Sequence, residues 1–150
     1  MNRTYLLASL TLVLASCSTG KLSRNETLDL YKAHTGDSIQ DFRYFGHISG
    51  WVPLGDSAMA VYTKPNQAYF LELDGPCAEL SYAPTITLTN MMNRVSARLD
   101  SVYVHSGATF SPPPCRSRIS TIRLIDVKGL KQAKRELREA KTMEREATAG

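Results

Sequence analysis

The chain of 150 residues is poor in the residues that mark unusual polymers: nine Gly, seven Pro, three Cys and one Trp. It has no Gly-X-Y period, no long Pro/Gly tract and no second apolar run of spanning length, which excludes collagen-like, low-complexity and polytopic membrane classes. It also lacks a G-x-S-x-G elbow, a phosphate-binding loop, an H-E-x-x-H pair and a glycine-rich dinucleotide fingerprint. No catalytic residue, metal site or cofactor is therefore expected. What is present is ordinary globular material, 43% hydrophobic and 21% charged, in a length that suits one domain.

The first residues read as an address. Met1-Asn2-Arg3 is a short positive segment, Thr4 to Leu14 is apolar, and small residues lead into Cys17, the pattern of a secretory signal. The apolar run is shorter than the roughly 20 residues that a helix needs to cross a bilayer. Leu14-Ala15-Ser16-Cys17 resembles the lipobox of bacterial lipoproteins. The resemblance implies cleavage before Cys17, acylation of Cys17 and, with Ser18 following it, outer-membrane residence facing the periplasm. Three acyl chains exceed what stable anchoring takes, each buried methylene adding about 0.8 kcal/mol. The competing reading is a plain secretory signal, with Cys17 left as a free thiol.

Setting Cys17 aside leaves Cys77 and Cys115. In an oxidising compartment an even pair reads as a disulfide, and closing a loop of this length is worth roughly 4 kcal/mol in the chain-entropy picture. Zinc binding or a reactive thiol are the alternatives, but no C-x-x-C and no nearby His supports them.

Charge is unevenly placed. The formal net charge is +4. Residues 17–127 hold ten basic and ten acidic residues, whereas from Lys128 onward seven basic residues face four acidic ones. A neutral body with a basic tail does not resemble a nucleic-acid-binding domain, which spreads positive charge over folded structure. The expected partners are the membrane through the N-terminal anchor, an anionic envelope polymer or lipid headgroup through the tail, and an envelope protein.

Four segments follow from the pattern: residues 1–16 as signal, 17–22 as tether, 23–127 as a globular β domain and 128–150 as a basic helix. Ser23 and Glu26 are spaced as a capping box, which predicts a helix from Arg24 to about His34, burying Leu28 and Tyr31 and stopped by Gly36. Period-two alternation then predicts six strands, at 43–48, 57–63, 68–74, 85–89, 95–104 and 119–127. The apolar register of 95–104 changes by one near Asp100-Ser101, which predicts a bulge. Leu130, Ala133, Leu137 and Ala140 recur at helical spacing, a stripe too thin to hold the last helix tightly. The expected fold is mainly β (α+β), a small antiparallel barrel or rolled sheet with a short first and a long last helix.

Candidate sites are few. His34, His47 and His105 fall on different elements, which does not suggest a metal centre. Arg98 and Asp100 would share a strand face, and Asp56 with Arg94 would join them across strands, giving a possible polar ligand site or a plain cross-strand ion-pair set. Tyr44, Phe45, Trp51, Tyr62, Tyr69 and Phe70 are concentrated in the first strands. Most are needed for the core; Phe45 and Phe70 facing outwards would mark a partner surface.

The segments Phe42–Ile48 and Gly50–Asp56, then Val61, Thr63, Ala68-Tyr69, Leu73, Gly75-Pro76-Cys77, Val95–Arg98, Asp100 and Cys115 are similar to a family of small proteobacterial lipoproteins known only as a domain of unknown function. The likeness covers roughly residues 26–127. It implies the lipid anchor and the cysteine pair, and it brings no catalytic residue. The reading is a non-enzymatic, outer-membrane-anchored binding or scaffold domain, with a small barrel for an apolar or amphipathic ligand as the alternative.

Overall fold

The computed structural model describes residues 22–105, 107 and 115–149. The expected signal, Cys17 and nearly all of the expected tether lie outside them. Helix α1 (Arg24–Ala33) starts with the expected capping box: the Ser23 N–H donates to Glu26 Oε2 at 2.7 Å, and the Glu26 N–H donates to Ser23 Oγ at 3.2 Å. The helix ends at His34, and Gly36 lies inside the next element instead of stopping it.

Nine strands follow, β1 (Thr35–Ile39), β2 (Asp41–Arg43), β3 (Gly50–Pro53), β4 (Ala58–Lys64), β5 (Gln67–Leu73), β6 (Thr85–Leu88), β7 (Arg94–Ser96), β8 (Ser101–His105) and β9 (Cys115–Ile125), with a 3-10 turn at Ala78–Ser81 and helix α2 (Val127–Ala149) at the end. Seven of them form an antiparallel sheet, six in the order β3-β4-β5-β9-β8-β6, curled into a half-barrel, with β1 added on β9. Strand β9 is the seam. Along one edge it pairs β5 through residues 119–125; along the other it pairs β8 through 115–118 and β1 through 122–125. No described helix is long and apolar enough to cross a membrane.

Strand periodicity sorts the side chains into two cores. Met59, Val61, Tyr69, Leu71 and Ile122 point into the curl, where Phe42 of β2 stacks on Tyr69 with ring centroids 4.2 Å apart. The β2–β7 ribbon thereby plugs the open side of the half-barrel. Ala58, Ala60, Ala68 and Phe70 face the other way and pack with Tyr31, Val127 and Leu130. Three alanines in that face leave room for both helices to approach closely.

Three expectations need correction. The segment 43–48 is not one strand: β2 ends at Arg43, a loop follows, and the strand at Gly50–Pro53 falls where only a strand end was expected. Residues 95–104 are not one bulged strand but two, β7 and β8, separated by a turn in which Arg98 has φ +67. Lastly, the thin stripe nevertheless holds the start of the last helix, because Val127 and Leu130 of α2 are buried in the outer cluster. Beyond Lys134 the helix is largely exposed, in keeping with its thin stripe.

Candidate functional site

Cys77 and Cys115 are joined, with Cα atoms 5.8 Å apart across a sequence separation of 38. Cys77 is fully buried at the entrance to the 3-10 turn, and Cys115 opens β9. The bond therefore ties the exit of β5 to the start of the seam strand. Two backbone bonds support the same corner: the Cys77 N–H donates to the Asp56 carbonyl at 2.7 Å, and the Asp74 N–H donates to the Arg118 carbonyl at 2.9 Å.

Asp56, Arg94, Arg98 and Asp100 do not converge. Asp100 is buried and locks the β7–β8 turn. Its carboxylate accepts from Thr89 Oγ1 at 2.6 Å and from the Ser96 N–H at 2.8 Å, while its own N–H donates to the Ser96 carbonyl at 3.0 Å. Arg94 pairs with Asp41 of the neighbouring ribbon strand. Asp56 is exposed and lines a groove of about 460 Å³ with Leu28, Lys32 and Glu72. Arg98 lines another groove and forms no ion pair among the described residues.

That other groove, about 540 Å³, is formed by residues 38–41, 96–99 and 120–122. It lies where the edge of β9 passes from β8 to β1, so the sheet itself makes the gap. Ile39, Ala97 and Ile122 give it apolar walls, hydroxyls come from Ser38, Ser96, Ser120 and Thr121, and Arg98 supplies a cation beside the Asp41 carboxylate, which Arg94 engages. Such a set can hold an amphipathic anion, the apolar part by burial and the anionic part by the guanidinium. Sequence reasoning picked Arg98 but missed the groove, because its walls come from three distant segments with no shared motif.

The histidines are dispersed. His34 Nδ1 lies 2.8 Å from the Leu30 carbonyl, His105 Nε2 lies 3.1 Å from Thr87 Oγ1, and His47 is exposed on the β2–β3 loop. The Thr87–His105 pair is exposed on the outer side of β6 and β8. Among the described residues no group of three His, Cys, Asp or Glu could hold a metal ion.

The perturbed titrating groups are structural. Tyr31 sits between α1, β4 and α2, its hydroxyl 3.1 Å from that of Tyr62 and accepting from Lys134 Nζ at 2.9 Å. Burial, reinforced by Tyr62, pushes the Tyr31 phenol far above its ordinary value, and burial lowers the Lys134 ammonium. Phe45 and Phe70 separate: Phe70 faces outward from the sheet but lies under the helices, 1% exposed, whereas Phe45 is 71% exposed.

A family model described as "Family of unknown function (DUF6491)" matches residues 1–141. No curated protein and no solved structure matches the chain.

Proposed function

Since the chain belongs to this family of unknown function, which has no activity to transfer, we propose from its own residues that it is an outer-membrane-anchored periplasmic lipoprotein acting as a non-enzymatic binding or scaffold domain of the cell envelope. The observation that carries this reading is the Cys77–Cys115 bond. A structural disulfide persists in an oxidising compartment, and this one uses both cysteines other than Cys17. Cys17 is then the single thiol available for acylation, at the end of a signal whose last residues resemble a lipobox.

The basic face of α2 is the second part of the proposal. Exposed Lys128, Lys131, Arg135 and Arg138 stand clear of the buried Val127 and Leu130. Near an anionic polymer or lipid headgroup each contributes about 1 kcal/mol. A ligand inside the barrel is disfavoured, since the curl is filled by Phe42, Met59, Tyr69, Leu71 and Ile119. An amphipathic ligand fits the outer groove at Arg98 instead.

Cell fractionation tests the anchor. Cys17→Ser is expected to leave an unprocessed or mislocalised precursor, because no other residue can carry the acyl chains. A processed Cys17→Ser chain recovered in the outer membrane at the wild-type level would overturn the reading.

A further inference from the structure

We propose that Phe45, Met91 and Met92 form a membrane-contact tip that seats the domain on an anionic phospholipid bilayer. The inference rests on the lipid-anchor reading: a tether of residues 17–22 reaches at most about 20 Å, which keeps the domain close to the bilayer.

The three side chains are 71%, 73% and 89% exposed. They come from two loops that the fold holds together. Met91 and Arg94 form a bridge that closes a tight turn between β6 and β7, with Met92 at φ +50 and Asn93 at φ +60. The Tyr44 N–H donates to the Asn93 carbonyl at 2.8 Å, tying the loop that carries Phe45 to this turn. Phe45 and Met92 then share one depression of about 250 Å³ with Arg43, Asn93 and Arg94.

The tip is odd as a fold element and sensible as a contact. Glycine or asparagine suits a left-handed turn position, and a methionine there is strained. Met92 recovers nothing by burial, so the fold gains no packing from holding it there. Charge decides the partner. Arg94 is paired with Asp41, and Arg43 forms no ion pair among the described residues, so Arg43 gives the rim one uncompensated positive charge. Exposed Phe and Met beside Arg43 is chemistry that enters the boundary between anionic headgroups and acyl chains. Three side chains at a turn also expose too little for the roughly 800 Å² per partner of a stable protein interface.

The full acylated chain carrying Met92→Trp is placed in vesicles of phosphatidylethanolamine and phosphatidylglycerol with acyl chains brominated near the headgroup. The parent chain corrects for Trp51, and Tyr82→Trp, at an exposed position away from the depression, serves as control. The new tryptophan at position 92 is expected to be quenched several-fold more than that at position 82. Equal quenching, or none while the chain stays on the vesicles, overturns the proposal. So does a blue shift without vesicles that is lost on dilution, which would assign the tip to a protein.

A second arm is independent of acylation. The chain from residue 17 onward carrying Cys17→Ser, which lacks the apolar 4–14 run, should bind phosphatidylglycerol vesicles, and adding Phe45→Ser with Met92→Ser should weaken binding at least about tenfold without moving the thermal midpoint. Unchanged binding, or no binding by the Cys17→Ser chain itself, overturns the tip. If this arm holds while cells leave Cys17 unacylated, the anchor reading falls and the tip stands.

Discussion

A single buried carboxylate decides the shape of one end of the sheet. Asp100 satisfies the Ser96 N–H and the Thr89 hydroxyl, and that hydroxyl in turn accepts from the Ser101 N–H at 2.9 Å. Its own carbonyl accepts from the Ile119 N–H at 2.9 Å, so the turn is bonded into β9 as well. Removing the side chain leaves an inward-facing N–H without its partner, and such a group costs about 1–3 kcal/mol. Asp100→Ala is therefore expected to lower stability by that amount in urea unfolding, with Asp100→Asn losing less because one acceptor oxygen remains. An alanine variant as stable as the parent would mean that water replaces the carboxylate.

Helix α2 divides at Lys134 into a packed and an exposed part, and the two should behave differently on truncation. Ending the chain at Lys134 keeps Val127 and Leu130 in the outer core and Lys134 on Tyr31. The thermal midpoint should then move by only a few degrees, as a loss of about 1 kcal/mol shifts a domain of this size by roughly 2–8 °C. Ending it at Asp126 removes two buried side chains beneath Tyr31 and should cost about 3 kcal/mol or more. The same junction predicts an alkaline limit. The folded Tyr31 pKa lies above its ordinary value of 10.0, so the stability it contributes is complete below about pH 10 and is lost as pH rises beyond it. Lys134 acts in the opposite sense, since its lowered pKa means that deprotonation relieves a cost. Tyr31→Phe should therefore extend stability to higher pH in an alkaline melt, and an unchanged limit would place the sensitive group elsewhere. Strong local signals made α1, β4, β5 and the final helix legible in the sequence: a capping box, clean alternation and an Ala/Leu/Lys/Glu stripe. The splitting of 95–104 was not legible, because the turn depends on Asp100 reaching Thr89 and on β9 taking up the Arg98 N–H at 2.7 Å, both tertiary events. Phe70 misled for a related reason: its outward face is covered only once the helices pack.

At the scale of the whole molecule one covalent bond and one strand hold distant parts together. Reducing Cys77–Cys115 should lower stability by about 2–5 kcal/mol, seen as a downward shift of the urea midpoint on adding a thiol reductant. No shift would show that β9 is held by its ladders alone. Salt should act on another property: binding of the chain to anionic vesicles is expected to fall between low and physiological ionic strength, where the screening length shortens to about 8 Å, while the midpoint stays put. Strand β9 also sets a clock. It joins β5, β8 and β1, yet it follows every other described strand in sequence, and β1 pairs residues more than eighty positions later. Long-range pairing of this kind is slow, because loop closure precedes any reward from contact. Until residues 115–125 emerge, β1, β5 and β8 have no partner across the seam. If the chain is exported unfolded, as the proposed lipoprotein reading requires, this order serves it, because the strand that completes the sheet follows all the others.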